Sequence, residues 1–136
     1  RTYPIRLTEE NAQEIISQYD IVVDGCDNFS TRYLINDICA EMGKVYVYGA
    51  ICGFEGQVSV FHYGEEKKSY RDLYPDEEEM RRMPLPPKGV MGITPAVTGS
   101  IEATEVLKII CGFGEVLSGK LWTIDLRTLQ SNKFSL

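Results

Sequence analysis

Residues 20–63 read DIVVDGCDNFSTRYLINDICAEMGKVYVYGAICGFEGQVSVFHY, and this stretch decides the fold. It opens on Ile21-Val22-Val23, three β-branched residues ending at Asp24, which predict a short buried strand. Gly25-Cys26-Asp27-Asn28 break the run. Apolar residues return at Leu34, Ile35, Ile38, Cys39 and Met42, the spacing of a helix. Asn28 or Ser30 can cap that helix and Gly43 can end it. Val45 to Tyr48 predict a second strand. Strand, tight loop, helix and strand in this order form a right-handed parallel crossover.

Ligands of parallel sheets sit beyond the carboxyl ends of the strands, where the loop Asp24–Asn28 lies. It places two acids and an amide beside a helix N-terminus, whose backbone N–H groups attract anions. A carboxylate there repels phosphate but can hold a divalent cation that in turn holds phosphate oxygens. The competing reading is that Asp27 and Asn28 merely cap the helix.

Thr8 followed by Glu9 and Glu10 marks a helix start. Ala12, Ile15, Ile16 and Tyr19 share a face, which predicts a helix over 9–19. After the second strand, three glycines between Gly49 and Gly56 predict a turn-rich connection. Gln57 to Tyr63 then alternate as a strand, too soon for a helical crossover, so the pairing turns antiparallel and the sheet is mixed. His62 is the single histidine. With no partner visible nearby in sequence it reads as a surface residue rather than a catalytic base.

Residues 64–92 read as a long irregular loop, of the kind that is functional or mobile. Glu65-Glu66-Lys67-Lys68 form a solvated turn, and Asp76 to Glu79 with Arg81 and Arg82 a short charged helix. Pro84, Pro86, Pro87 and Gly89 stop regular structure. Thr94 as N-cap and Pro95 in the first turn open a core helix over 95–111 that ends at Gly112. Its Glu102 and Glu105 read as a solvated face rather than metal ligands. Lys120 to Asp125 and Leu129 to Phe134 predict a terminal β-hairpin, attached to the core through Trp122 and Phe134.

The 136 residues are enough for one domain with a real core, and 43% apolar with 25% charged residues is a soluble globular composition. A net charge of −6 argues against a nucleic-acid surface. No apolar run reaches membrane-spanning length, and no signal peptide is expected. Cysteines 26, 39, 52 and 111 stand in or beside apolar runs with no C-x-x-C pair, which predicts reduced, mostly buried thiols in a cytoplasmic protein.

Three blocks, DGCDNFSTRYLIND (24–37), YGAICGFEGQVSVF (48–61) and GVMGITPAVTGSIEATEVLKIICG (89–112), resemble the ThiF/MoeB/HesA family, relatives of the ubiquitin-activating enzymes, in the same order and spacing. The resemblance implies an α/β fold: one partial domain over 1–136, the carboxyl-terminal part of a Rossmann-like domain, with parallel strands continuing into antiparallel ones. No glycine-rich G-x-G-x-x-G loop occurs, and the chain has no initiating Met. Both fit a carboxyl-terminal portion whose main nucleotide cradle lies upstream. For the intact protein the resemblance implies ATP-dependent adenylation of the terminal glycine carboxylate of a ubiquitin-like or sulfur-carrier protein ending in Gly-Gly. It also implies a homodimer. This activity serves thiamin or molybdenum-cofactor biosynthesis in the family.

Residue by residue, the resemblance makes Asp27 the catalytic magnesium ligand and Asn28 its orienting neighbour or a nucleotide contact. Arg32 becomes an anchor for the loop or a phosphate, and Asp24 a support behind the ligand. In the family, 64–92 is a crossover loop over the carrier tail, often bearing a reactive cysteine and half of a zinc site. Here Ser69-Tyr70-Arg71-Asp72 stands where many members have C-x-x-C, so no zinc is expected. Two rival readings are a degenerate member that only binds or dimerises, and a dehydrogenase fragment. The latter leaves EGQVSVF and GSIEATEVLKII unexplained.

Overall fold

The computed structural model describes residues 1–84 and 89–136, so Pro86 and Pro87 lie outside the described residues. In chain order come α1 (Glu9–Ser17), β1 (Ile21–Val23), α2 (Phe29–Met42), β2 (Val45–Cys52) and β3 (Glu55–Phe61). The short helices α3 (Tyr70–Leu73) and α4 (Glu77–Arg82) follow, then α5 (Ile93–Cys111), β4 (Lys120–Asp125) and β5 (Gln130–Ser135). The strands form one sheet in the order β1-β2-β3-β4-β5. β1 and β2 run parallel, with Val22 opposite Tyr46, and every later pair is antiparallel. The mixed α/β sheet and terminal hairpin expected from the sequence are therefore present.

Alternation along the strands assigns the two faces. Tyr46, Tyr48 and Phe61 point to one side, where they pack with Ala12 and Ile16 of α1, Tyr33, Ile35 and Cys39 of α2, and Tyr70 of α3. This core is aromatic: the Tyr48 and Tyr70 rings lie 5.2 Å apart and those of Tyr33 and Tyr70 4.9 Å, within the range where ring pairs attract. Val47, Val58 and Val60 point to the other side, against Ile101, Val106 and Ile109 of α5. Asn28 and Gly43 do close the two ends of α2, the glycine at φ 63°.

Several expectations need correction. β1 is an edge strand, so Ile21 and Val22 are half-buried and Val23 is exposed. β2 does not stop at Tyr48 but runs through Gly49 to Cys52. The turn shrinks to Gly53 and Phe54, with Gly53 at φ 58°. Gly49 and Gly56 are strand residues, glycine because α5 approaches them closely: a Cβ on Gly49 would lie 2.3 Å from Glu102 Cδ, and one on Gly56 2.2 Å from Thr98 Oγ1. β3 ends at Phe61 because His62 turns to φ 60°. α1 stops two residues early.

α5 starts at Ile93 rather than Pro95. Thr94 is not its cap; buried inside the first turn, it donates its hydroxyl to the Gly53 carbonyl at 2.9 Å. Glu102 and Glu105 are buried, not solvated. The 64–92 stretch carries α4 as expected. It also carries α3, which no apolar period announces: Ser69 Oγ accepts from Arg71 N at 3.2 Å, and the Asp72 carboxylate accepts from Ser69 N at 2.7 Å. Phe134 is exposed, so the hairpin is attached through Leu121 and the half-buried Trp122. Of the four free thiols only Cys39 is fully buried, while Cys52 and Cys111 are exposed.

Candidate active site

The loop between β1 and α2 is held by a buried hub at Asp24. One carboxylate oxygen, Oδ1, accepts from Cys26 N at 2.7 Å. The other, Oδ2, accepts from Arg32 Nε at 2.9 Å and from the Tyr46 hydroxyl at 2.9 Å. The Arg32 guanidinium also donates to the Cys26 carbonyl at 2.8 Å and reaches the Gly49 carbonyl at 3.5 Å. It lies over the Tyr48 ring, 5.7 Å from its centroid. Asp24 and Arg32 thus tie the loop, the first two turns of α2 and the end of β2 into one unit. Both Asp24 oxygens accept hydrogen bonds from within the fold, which suits support of the loop. Arg32 is buried in the loop's frame, with one edge on the cleft.

Asn28 and Asp27 do different things. Asn28 Oδ1 accepts from Thr31 N at 2.9 Å and is the cap of α2. Its amide nitrogen donates to Asp27 Oδ1 at 3.1 Å. Asp27 itself is exposed and makes no cap bond. Its carboxylate stands at the rim of a cleft of about 1200 Å³. The floor of that cleft is the aromatic face of the sheet at Tyr48, Gln57 and Thr123, and Tyr74 and Met80 overhang it from the α3–α4 region. Gln57 is held in place, donating to the hydroxyls of Tyr48 and Tyr74 at 2.6 and 3.0 Å.

The donor set fits a hard divalent cation of the magnesium type. Asp27 offers anionic oxygen with one bond from a neutral amide, and magnesium is commonly held by one or two carboxylates together with substrate phosphates. Among the described residues no three His, Cys, Asp or Glu side chains converge as an all-protein cage. Cys26, beside Asp27, is a half-buried free thiol. Burial, with the Asp24 charge, pushes its thiol up to about 12.

His62 is neither a surface residue nor a visible base. It is half-buried, with Nε2 3.0 Å from Asn36 Oδ1, an oxygen that also accepts from Ser69 Oγ and Tyr70 N. An amide oxygen only accepts, so Nε2 carries the proton. Burial holds the imidazole below its ordinary pKa. His62 therefore joins β3, α2 and α3 away from the cleft. Tyr46 and Gln57 are the site residues the sequence did not single out. The shared face of Tyr46, Tyr48 and, by pairing, Gln57 becomes visible only once the β2–β3 register is known.

The ThiF family model matches residues 1–136, so the chain belongs to the ThiF family. It is 46% identical over 136 residues to the probable molybdopterin-synthase adenylyltransferase of Pyropia yezoensis, covering 98% of this chain and 36% of that protein. It is 48% identical over 128 residues to the sulfur carrier protein adenylyltransferase of Thermus thermophilus, covering 90% of this chain and 47% of that one. The chain thus spans less than half of these relatives. Among solved structures, E. coli MccB with MccA-N7isoASN superposes with a TM-score of 0.74 at 17% identity over 98% of this chain and 42% of that one, a likeness of fold alone.

Proposed function

We propose that the intact protein activates the terminal glycine carboxylate of a ubiquitin-like sulfur-carrier protein by transferring AMP from ATP to it. The observation that carries this reading is the exposed Asp27 carboxylate, set at the head of α2 on a loop locked by the buried Asp24–Arg32 pair. Relatives named as adenylyltransferases of molybdopterin synthase and of a sulfur carrier support the substrate class. In the reaction a carboxylate oxygen attacks the α-phosphorus of ATP. A phosphorus–oxygen bond forms, the bond to the bridging oxygen breaks, and pyrophosphate leaves.

Asp27 would hold a magnesium ion, which would offset the repulsion between the two anionic reactants. Asn28 keeps the Asp27 carboxylate turned toward the cleft by donating to it, and its cap bond holds the helix head in place. Arg32 and Asp24 keep the loop from moving, and the Tyr46 hydroxyl gives Asp24 Oδ2 its second hydrogen bond. The cleft over Tyr48, Gln57 and Thr123 has a volume of about 1200 Å³, and we assign the carrier's Gly-Gly end to it. Tyr74, Met80, Met83 and Val90 of the 64–92 stretch line this cleft, and we expect them to move when the tail enters. No thiol is needed for adenylation. Ser69 and Asp72 are spent on capping α3, so we expect no zinc there.

We further propose a cytoplasmic homodimer. Among the described residues no helix is long and apolar enough to cross a membrane. The outer face of α5 exposes Leu107 and Ile110, while the hydroxyls of Ser100 and Thr104 turn back onto carbonyls of their own helix. The test of the activity is carrier-dependent exchange of labelled pyrophosphate into ATP by the intact protein. Exchange that requires a carrier with its terminal glycine supports the reading. A protein that binds the carrier without exchange contradicts it.

A further inference from the structure

Four polar residues on α5, Thr94, Thr98, Glu102 and Glu105, face the sheet and are buried. The outer two are satisfied: Thr94 by the Gly53 carbonyl, and Glu105 by Leu117 N at 2.8 Å and by Lys108. The middle two are not. Thr98 Oγ1 and Glu102 Oε1 have no hydrogen-bond partner among the described residues. The Glu102 carboxyl lies flat against Gly49, so closely that a Cβ there would come within 2.5 Å of each of its oxygens. The Gly49 carbonyl is in turn the residue that Arg32 reaches from the far side of the strand. Glu102 and Arg32 therefore grip one glycine from opposite faces of β2.

The charges that Glu102 meets are few. From the β1–α2 segment come Asp24 and Arg32, already paired with each other. Val47, Gly49, Gly56 and Val58 of the sheet carry none, and Glu105 on its own helix is engaged by Lys108. An ionised Glu102 is thus a second buried anion with no donor and a share in only one cation, which burial penalises heavily. Burial, reinforced by the Asp24 charge and opposed by Arg32, pushes its carboxyl up to about 8.

We propose that Glu102 is a positioning residue for the Asp24–Asn28 loop: neutral and seated on Gly49 it leaves Arg32 to Asp24 and the Cys26 carbonyl, and ionised it draws the guanidinium across Gly49 and loosens the loop. The link to activity rests on the reading of that loop as the active site; the coupling itself does not. The sign is fixed by linkage. A carboxyl raised in the folded state contributes stability that is fully present below its ordinary range near 4.5 and is lost as pH rises through about 8.

The test is a pH titration of the 136-residue chain carrying carboxyl-labelled glutamate, followed by NMR. Glu102 is expected to titrate near 8, with the Cys26 amide and the Arg32 Nε–H resonances moving at the same midpoint. In Glu102→Gln, a neutral carboxamide, those two resonances are expected to stay flat, and the melting temperature to lose the part of its fall between about pH 4.5 and 8 that Glu102 causes. Titration of Glu102 in the ordinary carboxyl range overturns the proposal. So does a Glu102 that titrates near 8 while Cys26 and Arg32 stay still. The wild-type titration decides this even if the variant does not fold. None of these readouts depends on catalysis, so a protein without exchange activity and a failed coupling give different results.

Discussion

Asn28 and Asp27 divide the work at the head of α2: Asn28 Oδ1 takes the free Thr31 N–H, and its amide nitrogen steadies an Asp27 carboxylate that caps nothing. Adjacent residues with side chains of the same size thus have separable roles. Asn28→Ala is expected to cost about 1 kcal/mol of stability, the usual loss for a helix cap. Asp27→Ala is expected to leave the melting temperature unchanged. Thermal unfolding of the two variants side by side checks both.

The Asp24–Arg32 pair is buried on both sides, with side-chain exposures of 0 and 9%. Removing one partner strands the other charge, and the expected loss for Arg32→Ala or Asp24→Ala is on the order of 3–5 kcal/mol. Arg32→Lys should not restore it. A single ammonium cannot bond Asp24, the Cys26 carbonyl and the Gly49 carbonyl together in the geometry of the guanidinium fork. Urea unfolding measures each loss.

The approach of α5 to the sheet yields a rescue experiment. Gly56→Ala puts a methyl 2.2 Å from Thr98 Oγ1 but 3.5 Å from Thr98 Cβ. The single variant should be destabilised, and Thr98→Ala in the same chain should relieve it. Thr98→Ala alone removes a buried hydroxyl without a partner, so it should be neutral or stabilising by about 1 kcal/mol. The double-mutant cycle from thermal melts shows whether the two sites couple.

The parallel unit, the cap at Asn28, the glycine end of α2 and the mixed sheet were all legible, because each rests on local pattern. Glu102 and Glu105 were not. On a helix with apolar residues on most faces, periodicity does not say which face meets the sheet, and carboxylates default to solvent. The polar seam becomes visible only with the glycines of β2 and β3 beneath it. Gly49 and Gly56 looked like turn residues for the same reason: a glycine needed for close approach and one needed for a turn read alike. At the site, Asp24, Asp27 and Asn28 could be picked out of one short loop, while Arg32, on α2, was named only through the resemblance. The contribution of Tyr46 depends on strand register, which the loop does not encode.

The exposed face of α5 makes its own prediction. Leu107 and Ile110 are 52 and 67% exposed on a helix face without a free charge, and such patches favour association. Light scattering should show a concentration-dependent dimer, and Leu107→Lys with Ile110→Lys should shift it to monomer with the fold intact. A wild-type chain that stays monomeric at high concentration contradicts this.

The central claim is that Asp27 works on the phosphates rather than on the helix, and one variant tests it. Asparagine keeps the size and polarity of aspartate but is a far poorer ligand for magnesium. In the intact protein, Asp27→Asn is expected to melt at the wild-type temperature and to exchange pyrophosphate into ATP at least about a hundredfold more slowly. Normal exchange with normal melting would contradict the account and leave the loop without its central residue.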